Sequence, residues 1–277
     1  MLRLLGGLAG LAGVGFVAFA IYRELGRDEF SDLGYGDFAI LLPLVLAYAA
    51  TNLLLAAAWW WLLKAQGQVI PFASSVRIYG VSQMAKYVPG NVVHLAGRQA
   101  LAVSSGLAGI AVAKSMAWEM LALAVGALTF SLLLLPLWID LPVAMVEVAF
   151  VISLLAASVA FSRLVSPHFK PVLWLHATFL AVSGLIFWFL VMSLSPESLS
   201  HGVHVVAAGF VIAWLIGFVT PGAPAGLGVR ELVLLGLFSS SVDAQAILVA
   251  VVMSRIVTGL GDLIFYLLTV RKGVDGQ

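Results

Sequence analysis

Cysteine is absent from the 277 residues of this chain, and charged residues are scarce. The absence of cysteine excludes disulfides, thiolate catalysis and cysteine-ligated metals. Charged residues make up only 10% of the chain, whereas a soluble globular domain carries about 25%. Hydrophobic residues make up 62%, and the mean hydropathy is +1.11. This composition excludes a soluble enzyme and a disordered chain, and it is typical of an integral membrane protein.

Basic residues are also too dispersed to form a nucleic-acid-binding surface. The formal net charge is only +1, and the lysines and arginines are scattered mostly as single residues. Binding to a phosphate backbone needs a basic patch or stripe on one face. We therefore expect no nucleic-acid partner.

Long apolar runs divide the chain into predicted helices. A helix that crosses a hydrocarbon core of about 30 Å needs about 20 residues. Six runs are long enough, and two further regions, 72–104 and 204–241, are broken near their middle by proline and glycine. Each half of these broken regions would extend only about 22 Å, so we interpret both as re-entrant helical hairpins. The six predicted spanning helices are 4–22, 38–63, 108–136, 142–162, 172–194 and 244–270.

The two breaks belong to an internal repeat with an offset of 132 residues. The segment Tyr87-Val-Pro-Gly, with Arg98 eight residues after its glycine, aligns without a gap on Val219-Thr-Pro-Gly, with Arg230 at the same distance. The same shift moves 4–22 onto 136–154, 38–63 onto 170–195 and 108–136 onto 240–268. Each copy therefore contains helix, helix, hairpin and helix.

Three crossings per copy is an odd number, so the second copy must be inverted in the membrane. Inverted repeats with broken helices are typical of transporters. The sequence thus predicts an all-α integral membrane protein with six spanning helices and two re-entrant helical hairpins in an inverted-topology repeat. We expect a single membrane domain, residues 1–277, composed of repeat one (1–137) and repeat two (138–277).

The distribution of basic residues predicts the orientation. With a cytoplasmic N-terminus, the predicted outside loops hold two basic residues among five acidic ones. We expect a multi-pass protein of the inner (cytoplasmic) membrane with both termini cytoplasmic. A cleaved signal peptide is an alternative for the first run, although the repeat supplies that run with a counterpart at 142–162. The basic residues on the predicted inside are Arg3, Lys64, Arg163, Lys170, Arg271 and Lys272.

Ionisable residues inside these apolar regions are candidates for function. A charge at the centre of a membrane helix costs at least about 2.5 to 3.5 kcal/mol. Helical spacing places these residues on shared polar faces, and each break starts a half-helix whose free N–H groups attract anions. We assign Glu119 and Asp262 as coupling or structural partners. The predicted substrate-binding residues are Lys86, Asn91, His94, Arg98, Arg230, Glu231 and Arg255.

An alternative role for the two repeated arginines is structural. Arg98 and Arg230 could tie the hairpin tips to carbonyl groups or to Glu119 and Glu231, because buried charges often pair during assembly. A metal site is not expected, since His201 and His204 lack a carboxylate at ligand spacing. We also expect no cofactor.

The two repeated motifs resemble a known family. Lys86-Tyr-Val-Pro-Gly is similar to the Lys-Tyr-x-Pro-Gly segment of the lysylphosphatidylglycerol synthase/flippase transmembrane domain, the membrane half of the multiple peptide resistance factor. The segment from Pro221 to Glu231 is similar to that family's Pro-Gly-Gly-Leu-Gly-x-Arg-Glu, with Ala-Pro-Ala interrupting the glycines. The resemblance implies lipid translocation, since relatives serve aminoacylated phospholipids or polyprenyl-phosphate-linked sugars.

These observations predict a flippase that moves an anionic or isoprenoid-phosphate-linked (glyco)lipid between leaflets. The chain carries no soluble aminoacyl-transferase domain, so we expect a separate transferase to modify the lipid. One alternative is an integral-membrane transferase or phosphatase acting on a lipid phosphate, with Glu119, Glu231 or His94 as acid or base. Another is a non-catalytic scaffold. The sequence contains no nucleophile beside a base and no nucleotide-binding loop, which favours transport.

Overall fold

The computed structural model describes residues 41–87, 93–196, 202–220, 226 and 228–271. The predicted spanning helix 4–22, the Pro-Gly segments within 88–92 and 221–225, and residue 227 lie outside the described residues. Within the described ranges, all regular elements are helical. The α-helices are α1 (Leu41–Ala65), α2 (Phe72–Gln83), α3 (Val93–Ser104), α4 (Gly109–Thr129), α5 (Val143–Leu164), α6 (Lys170–Leu194), α7 (Val203–Val219), α8 (Val229–Phe238) and α9 (Ala244–Arg271).

Three short 3-10 helices extend these elements. Met84–Tyr87 continues α2, Phe130–Leu137 continues α4, and Pro167–Phe169 leads into α6. Within the described ranges, five stretches are long and apolar enough to cross a membrane, and each coincides with a predicted run. The chain is therefore an all-α protein of multi-pass membrane type in the part that the structure describes. The five stretches are Leu41–Ala65, Gly109–Leu137, Val143–Leu164, Pro167–Leu194 and Ala244–Val270.

Proline and lysine mark several helix ends. Pro71 and Pro142 precede α2 and α5, and α6 carries proline in its first turn, where a missing N–H leaves no hydrogen bond unmade. Lys64 lies in the last turn of α1, where a cation favours the helix C-terminus. Its ammonium lies 3.6 Å from the centroid of the Trp60 ring. This end of α1 is thus fixed by an aromatic and cationic pair.

The helix bounds repeat at the offset found in the sequence. Shifting 72–87, which is α2 with its 3-10 turn, by 132 gives 204–219, and α7 is Val203–Val219. Shifting 109–137 gives 241–269, and α9 is Ala244–Arg271. The helix contacts repeat as well, with α1, α2, α3 and α4 corresponding to α6, α7, α8 and α9. The contacts α1–α2, α2–α3 and α4–α6 of the first half match the contacts α6–α7, α7–α8 and α9–α1 of the second. The two halves therefore share one packing pattern.

Small residues allow close helix crossings at the centre of the bundle. A Cβ atom added to Gly261 of α9 would lie 3.1 Å from the Val45 carbonyl oxygen and 3.1 Å from the Ala49 nitrogen of α1. Close backbone approach of this kind is a common means of packing membrane helices. It places Asp262, the residue after Gly261, directly beside α1.

Candidate functional site

Arg98 of α3 and Glu119 of α4 form an ion pair inside the bundle. The Nη1 atom of Arg98 donates to Oε2 of Glu119 at 2.5 Å, and both side chains are only 1% exposed. The hydroxyl of Tyr79, on α2, donates to the other carboxylate oxygen, Oε1, at 2.9 Å. The guanidinium carbon of Arg98 lies 3.8 Å from the centroid of the Tyr79 ring, within range of a cation–π interaction. These contacts connect three helices through one carboxylate.

A second layer of side chains orients this pair. The Nε atom of Arg98 donates to Oγ of Ser82, three residues after Tyr79 on α2. The ring of Trp59 lies 5.4 Å from the guanidinium, and its Nε1 atom donates to Oγ of Ser115 at 3.0 Å. Tyr79 and Ser82, three residues apart on α2, thus lie on one helix face and both contact Arg98. Trp59 is fully buried and packs in the interior.

Asp262 of α9 is the centre of a second polar cluster. Lys86 Nζ lies 2.6 Å from its Oδ2 atom, and the Tyr87 hydroxyl donates to the same oxygen at 2.5 Å. Asn52 of α1 donates from Nδ2 to Oδ1 at 3.1 Å. Asp262 is completely buried, whereas the side chain of Lys86 is 26% exposed. The carboxylate of α9 thus contacts both α1 and the 3-10 helix Met84–Tyr87 that continues α2.

Arg230 lies in the first turn of α8 and is folded back against glycine. A Cβ atom added to Gly226 would lie 3.0 Å from Nε of Arg230 and 3.1 Å from Cα of Gly217 on α7. Gly226 and Gly228 both have φ in the left-handed region, at +71° and +79°, which favours glycine. Gly217 and Gly226 therefore approach each other and the arginine more closely than residues with a side chain could. The Nε atom of Arg230 is buried and has no hydrogen-bond partner among the described residues.

Arg255 of α9 and Glu231 of α8 form a looser ion pair beside Arg230. The Nη2 atom of Arg255 lies 2.7 Å from Oε1 of Glu231, and each side chain is 18% exposed. Although this distance is that of an ion pair, the orientation leaves Nε and Nη2 of Arg255 and Oε2 of Glu231 without hydrogen bonds to described residues. Glu231 is the residue after Arg230 in the first turn of α8. Buried polar atoms of this pair, like Nε of Arg230, could thus take a further partner.

The predicted site residues fall into these clusters with two exceptions. His94 of α3 lies within the electrostatic influence of Arg98 and Lys86, and its buried Nδ1 atom has no partner in the described structure. Asn91 lies outside the described residues. The two repeated arginines, Arg98 and Arg230, differ in surroundings, since only Arg98 has a carboxylate at ion-pair distance in the described ranges.

Sequence reasoning assigned no role in the site to three side chains near these clusters. Tyr87 and Asn52 bond to Asp262, and Tyr48 of α1 lies within electrostatic range of both Asp262 and Arg230. Tyr48 and Asn52 are four residues apart in an otherwise apolar run, which places them on one helix face. A polar pair at that spacing is a signal that could have identified the face of α1 that contacts α9.

The chemistry of these groups favours binding an anion. Arginine donates to phosphate in a planar, multidentate geometry, and the unpartnered donors of Arg230 and Arg255 suit such a ligand. In the described part of the chain, no group of three histidine, aspartate or glutamate side chains could hold a metal ion.

The chain matches no protein-family model, and no curated protein matches it. The resemblance to the lysylphosphatidylglycerol synthase/flippase family therefore rests on the two motifs alone, and the function is inferred from the geometry of the site.

Proposed function

We propose that this protein is a lipid flippase that moves an anionic or isoprenoid-phosphate-linked (glyco)lipid between the leaflets of the inner membrane. The observation that carries this proposal is the group of charged side chains held within an apolar helix bundle, with unpartnered arginine donors beside a glycine-lined bend. Charges at membrane depth are costly, and in membrane proteins they mark substrate pathways. The lipid tails would remain in the bilayer while the phosphate passes the arginines.

The architecture that we propose for transport is the inverted-topology repeat with two re-entrant hairpins. Its support comes from the shared 132-residue offset of the helix bounds and from the repeated pattern of helix contacts. The arms of the proposed hairpins are short, since α3 has 12 residues and α8 has 10. At 1.5 Å per residue, these arms reach about 18 Å and about 15 Å, well short of a hydrocarbon core of about 30 Å. A sixth span at 4–22 completes the proposed arrangement.

In this proposal the phosphate binds to Arg230, with Arg255 as its second donor. Both arginines have N–H groups without partners in the described structure, and both are partly accessible. Arg98 takes the structural role, because its charge is already neutralised by Glu119 and its side chain is enclosed. Lys86 and Asp262 join the 3-10 turn after α2 to α9, and Asp262 provides a carboxylate for coupling to protons.

The proposed orientation has both termini in the cytoplasm. Lys64, Arg163 and Lys170 lie at the ends of α1 and α5 and the start of α6, which the 3-10 helix Pro167–Phe169 brings together. Asp140 and Asp243 lie in connections at the opposite ends of the helices. The positive-inside rule favours the lysine and arginine end as the cytoplasmic one.

Purified protein in vesicles tests the proposal directly. A lipid with a fluorescent acyl chain or isoprenoid tail should become accessible to an impermeant quencher faster with the protein than without it, and its mass should stay unchanged. Arg230→Ala should abolish this movement while the melting temperature stays within a few degrees, because a partly accessible arginine can be replaced by alanine and water. Arg163→Ala, on an exposed face, serves as the matched control. A covalently altered lipid formed at a catalytic rate would favour the membrane enzyme instead.

A further inference from the structure

The end of α1 and its connection to α2 form a compact surface around Trp60. The Nε1 atom of Trp60 donates to the carbonyl oxygen of Ile70 at 2.9 Å, and its ring contacts the ring of Phe72, with centroids 5.5 Å apart. The ammonium of Lys64 lies over the Trp60 ring and is 5.0 Å from the centroid of the Trp61 ring. Two aromatic rings therefore hold this ammonium in place.

Apolar side chains on this surface are exposed. Val69 is 95% exposed, Phe72 is 42% exposed, and Ile110 at the start of α4 is 74% exposed. A hydrogen bond joins the α1–α2 connection to the start of α4, since the backbone N–H of Ala108 donates to Oε1 of Gln68 at 2.9 Å. Apolar groups this exposed favour contact with lipid over contact with water. We call the group of Lys64, Val69, Phe72 and Ile110 the rim surface.

The length of α1 predicts that the rim surface lies at the level of lipid head groups. Its 25 residues extend about 37 Å, whereas the hydrocarbon core is about 30 Å thick and the whole bilayer about 40 to 45 Å. Lys64 lies in the last turn of this helix, and Trp60 and Trp61 lie one turn earlier. Indole rings are enriched at the boundary between hydrocarbon and water. At this depth an ammonium reaches lipid phosphates, while apolar side chains reach acyl chains.

Lys64 has no acidic residue to neutralise it. The chain contains no aspartate or glutamate between Asp37 and Glu119, and no carboxylate of the described residues lies at ion-pair distance from Lys64. A lipid with a net negative head group would supply the missing counter-charge. A choline lipid brings its own cation, which Lys64 would repel. The rim surface thus favours an anionic over a zwitterionic lipid.

We infer that the rim surface is a binding site for an anionic phospholipid that stays in the surrounding leaflet. Its phosphate binds at Lys64, and its acyl chains lie against Val69, Phe72 and Ile110. The exposed residues of this site are separate from the buried arginine cluster, so the inference does not depend on the proposed flippase function. One lysine near an anionic membrane surface strengthens binding by about fivefold.

A fluorescent label at position 69 measures the lipid composition beside the rim surface. Val69→Cys gives the chain a single cysteine, and the exposure of Val69 allows a label without disturbing the packing. In phosphatidylcholine nanodiscs, a small fraction of brominated phosphatidylglycerol should quench this label as if enriched about fivefold over the same fraction of brominated phosphatidylcholine. A label on Met145→Cys, exposed on α5 two residues from Glu147, is the control position and should show no such enrichment.

Variants of Lys64 separate its role from that of basic residues in general. Lys64→Gln should remove the preference for phosphatidylglycerol at the position-69 label, and Lys64→Arg should keep most of it because the charge remains. Arg163→Gln removes an exposed cation from the last turn of α5 and should leave the preference unchanged. The comparison between positions 69 and 145 tests the inference even if Lys64→Gln does not fold.

Three results would overturn this inference. The first is equal quenching of the position-69 label by the two brominated lipids, and the second is an equal loss of preference in Lys64→Gln and Arg163→Gln. The third is quenching by neither lipid, which would show that a second copy or another segment of this chain covers the rim surface. Since none of these measurements follows lipid movement between leaflets, the flippase proposal is tested separately.

Discussion

Replacing Arg98 by alanine should destabilise the protein far more than replacing Arg98 and Glu119 together. Glu119 is 1% exposed, and in Arg98→Ala the hydroxyl of Tyr79 would be its one remaining hydrogen-bond partner among the described residues. Breaking one side of a buried ion pair costs about 3 to 5 kcal/mol, because the remaining charge is left desolvated. With a change of about 2 to 4 °C in melting temperature for each kcal/mol, the expected decrease is roughly 6 to 20 °C.

A double variant distinguishes the net contribution of the ion pair to stability from the cost of leaving one buried charge without a partner. Replacing both partners by apolar residues of similar volume is often neutral or stabilising by about 1 to 4 kcal/mol. Arg98→Met combined with Glu119→Leu should therefore recover most of the melting temperature that Arg98→Ala loses. Tyr79 would then lack its acceptor, so a residual loss of about 1 kcal/mol is expected.

The assay is thermal unfolding of purified protein in one detergent, followed by static fluorescence and by the fraction that remains monodisperse after heating. Lys114→Ala removes an exposed cation from α4, the helix of Glu119, and should change the melting temperature by no more than about 1 to 2 °C. A melting temperature for Arg98→Ala within that margin would refute the structural role, since a dispensable buried arginine must then have been solvated or bound to a ligand.

Two further predictions concern the glycine-lined bend and the topology. Gly226→Ala and Gly67→Ala both place alanine at a φ of +71°, which costs about 1 to 2 kcal/mol, but only position 226 has Arg230 and Gly217 within 4 Å of the added Cβ. Thermal unfolding and lipid movement should thus both be more impaired by Gly226→Ala, and equal effects would contradict the close packing of Arg230. Because the chain lacks cysteine, single cysteines can report topology: positions 72 and 105 should react with an impermeant thiol reagent only from the cytoplasm. A cysteine at position 90 should react with small aqueous reagents, and its labelling by an impermeant reagent from the opposite surface would contradict a re-entrant hairpin.

The spanning helices were predictable because hydrocarbon demands a continuous apolar stretch. The run 142–162 corresponds to Val143–Leu164 and the run 244–270 to Ala244–Arg271, so the bounds differ by two residues or fewer. The tightening of the end of α4 into a 3-10 helix over Phe130–Leu137 was not predicted, since apolar periodicity does not distinguish the two helix types there. The helix predicted at 4–22 stays a prediction.

The partners of the charged residues were much harder to predict. The sequence left Glu119 and Glu231 open as partners of the repeated arginines, and the packing of α3 on α4 selects Glu119 for Arg98. Glu231 lies beside Arg255 instead. Such choices depend on which helix faces come together, and spacing along one helix carries no information about that.

The repeat itself hides the second cluster from sequence comparison. At the 132-residue offset, Asp262 corresponds to Phe130, and Lys86 corresponds to Phe218. The duplication therefore preserves helix lengths and contacts, while the polar side chains differ between the halves. A search for repeated polar residues finds the two arginines and misses the Lys86–Asp262 pair.

The separation of Asp262 from its partners along the chain has a consequence for biosynthesis. The acid is made 175 residues after Tyr87, whereas Glu119 is made only 21 residues after Arg98. At a synthesis rate of about 5 to 20 residues per second, Glu119 is made roughly 1 to 4 s after Arg98, and Asp262 is made roughly 9 to 35 s after Tyr87. Before Asp262 is made, the charge of Lys86 must be hydrated or shielded by the insertion machinery. Lys86 is still partly exposed in the folded protein, which is consistent with its remaining hydrated during this interval. Lys86 and Tyr87 therefore gain their carboxylate partner only when α9 has been made, and in a chain truncated before Asp262 both should lack it.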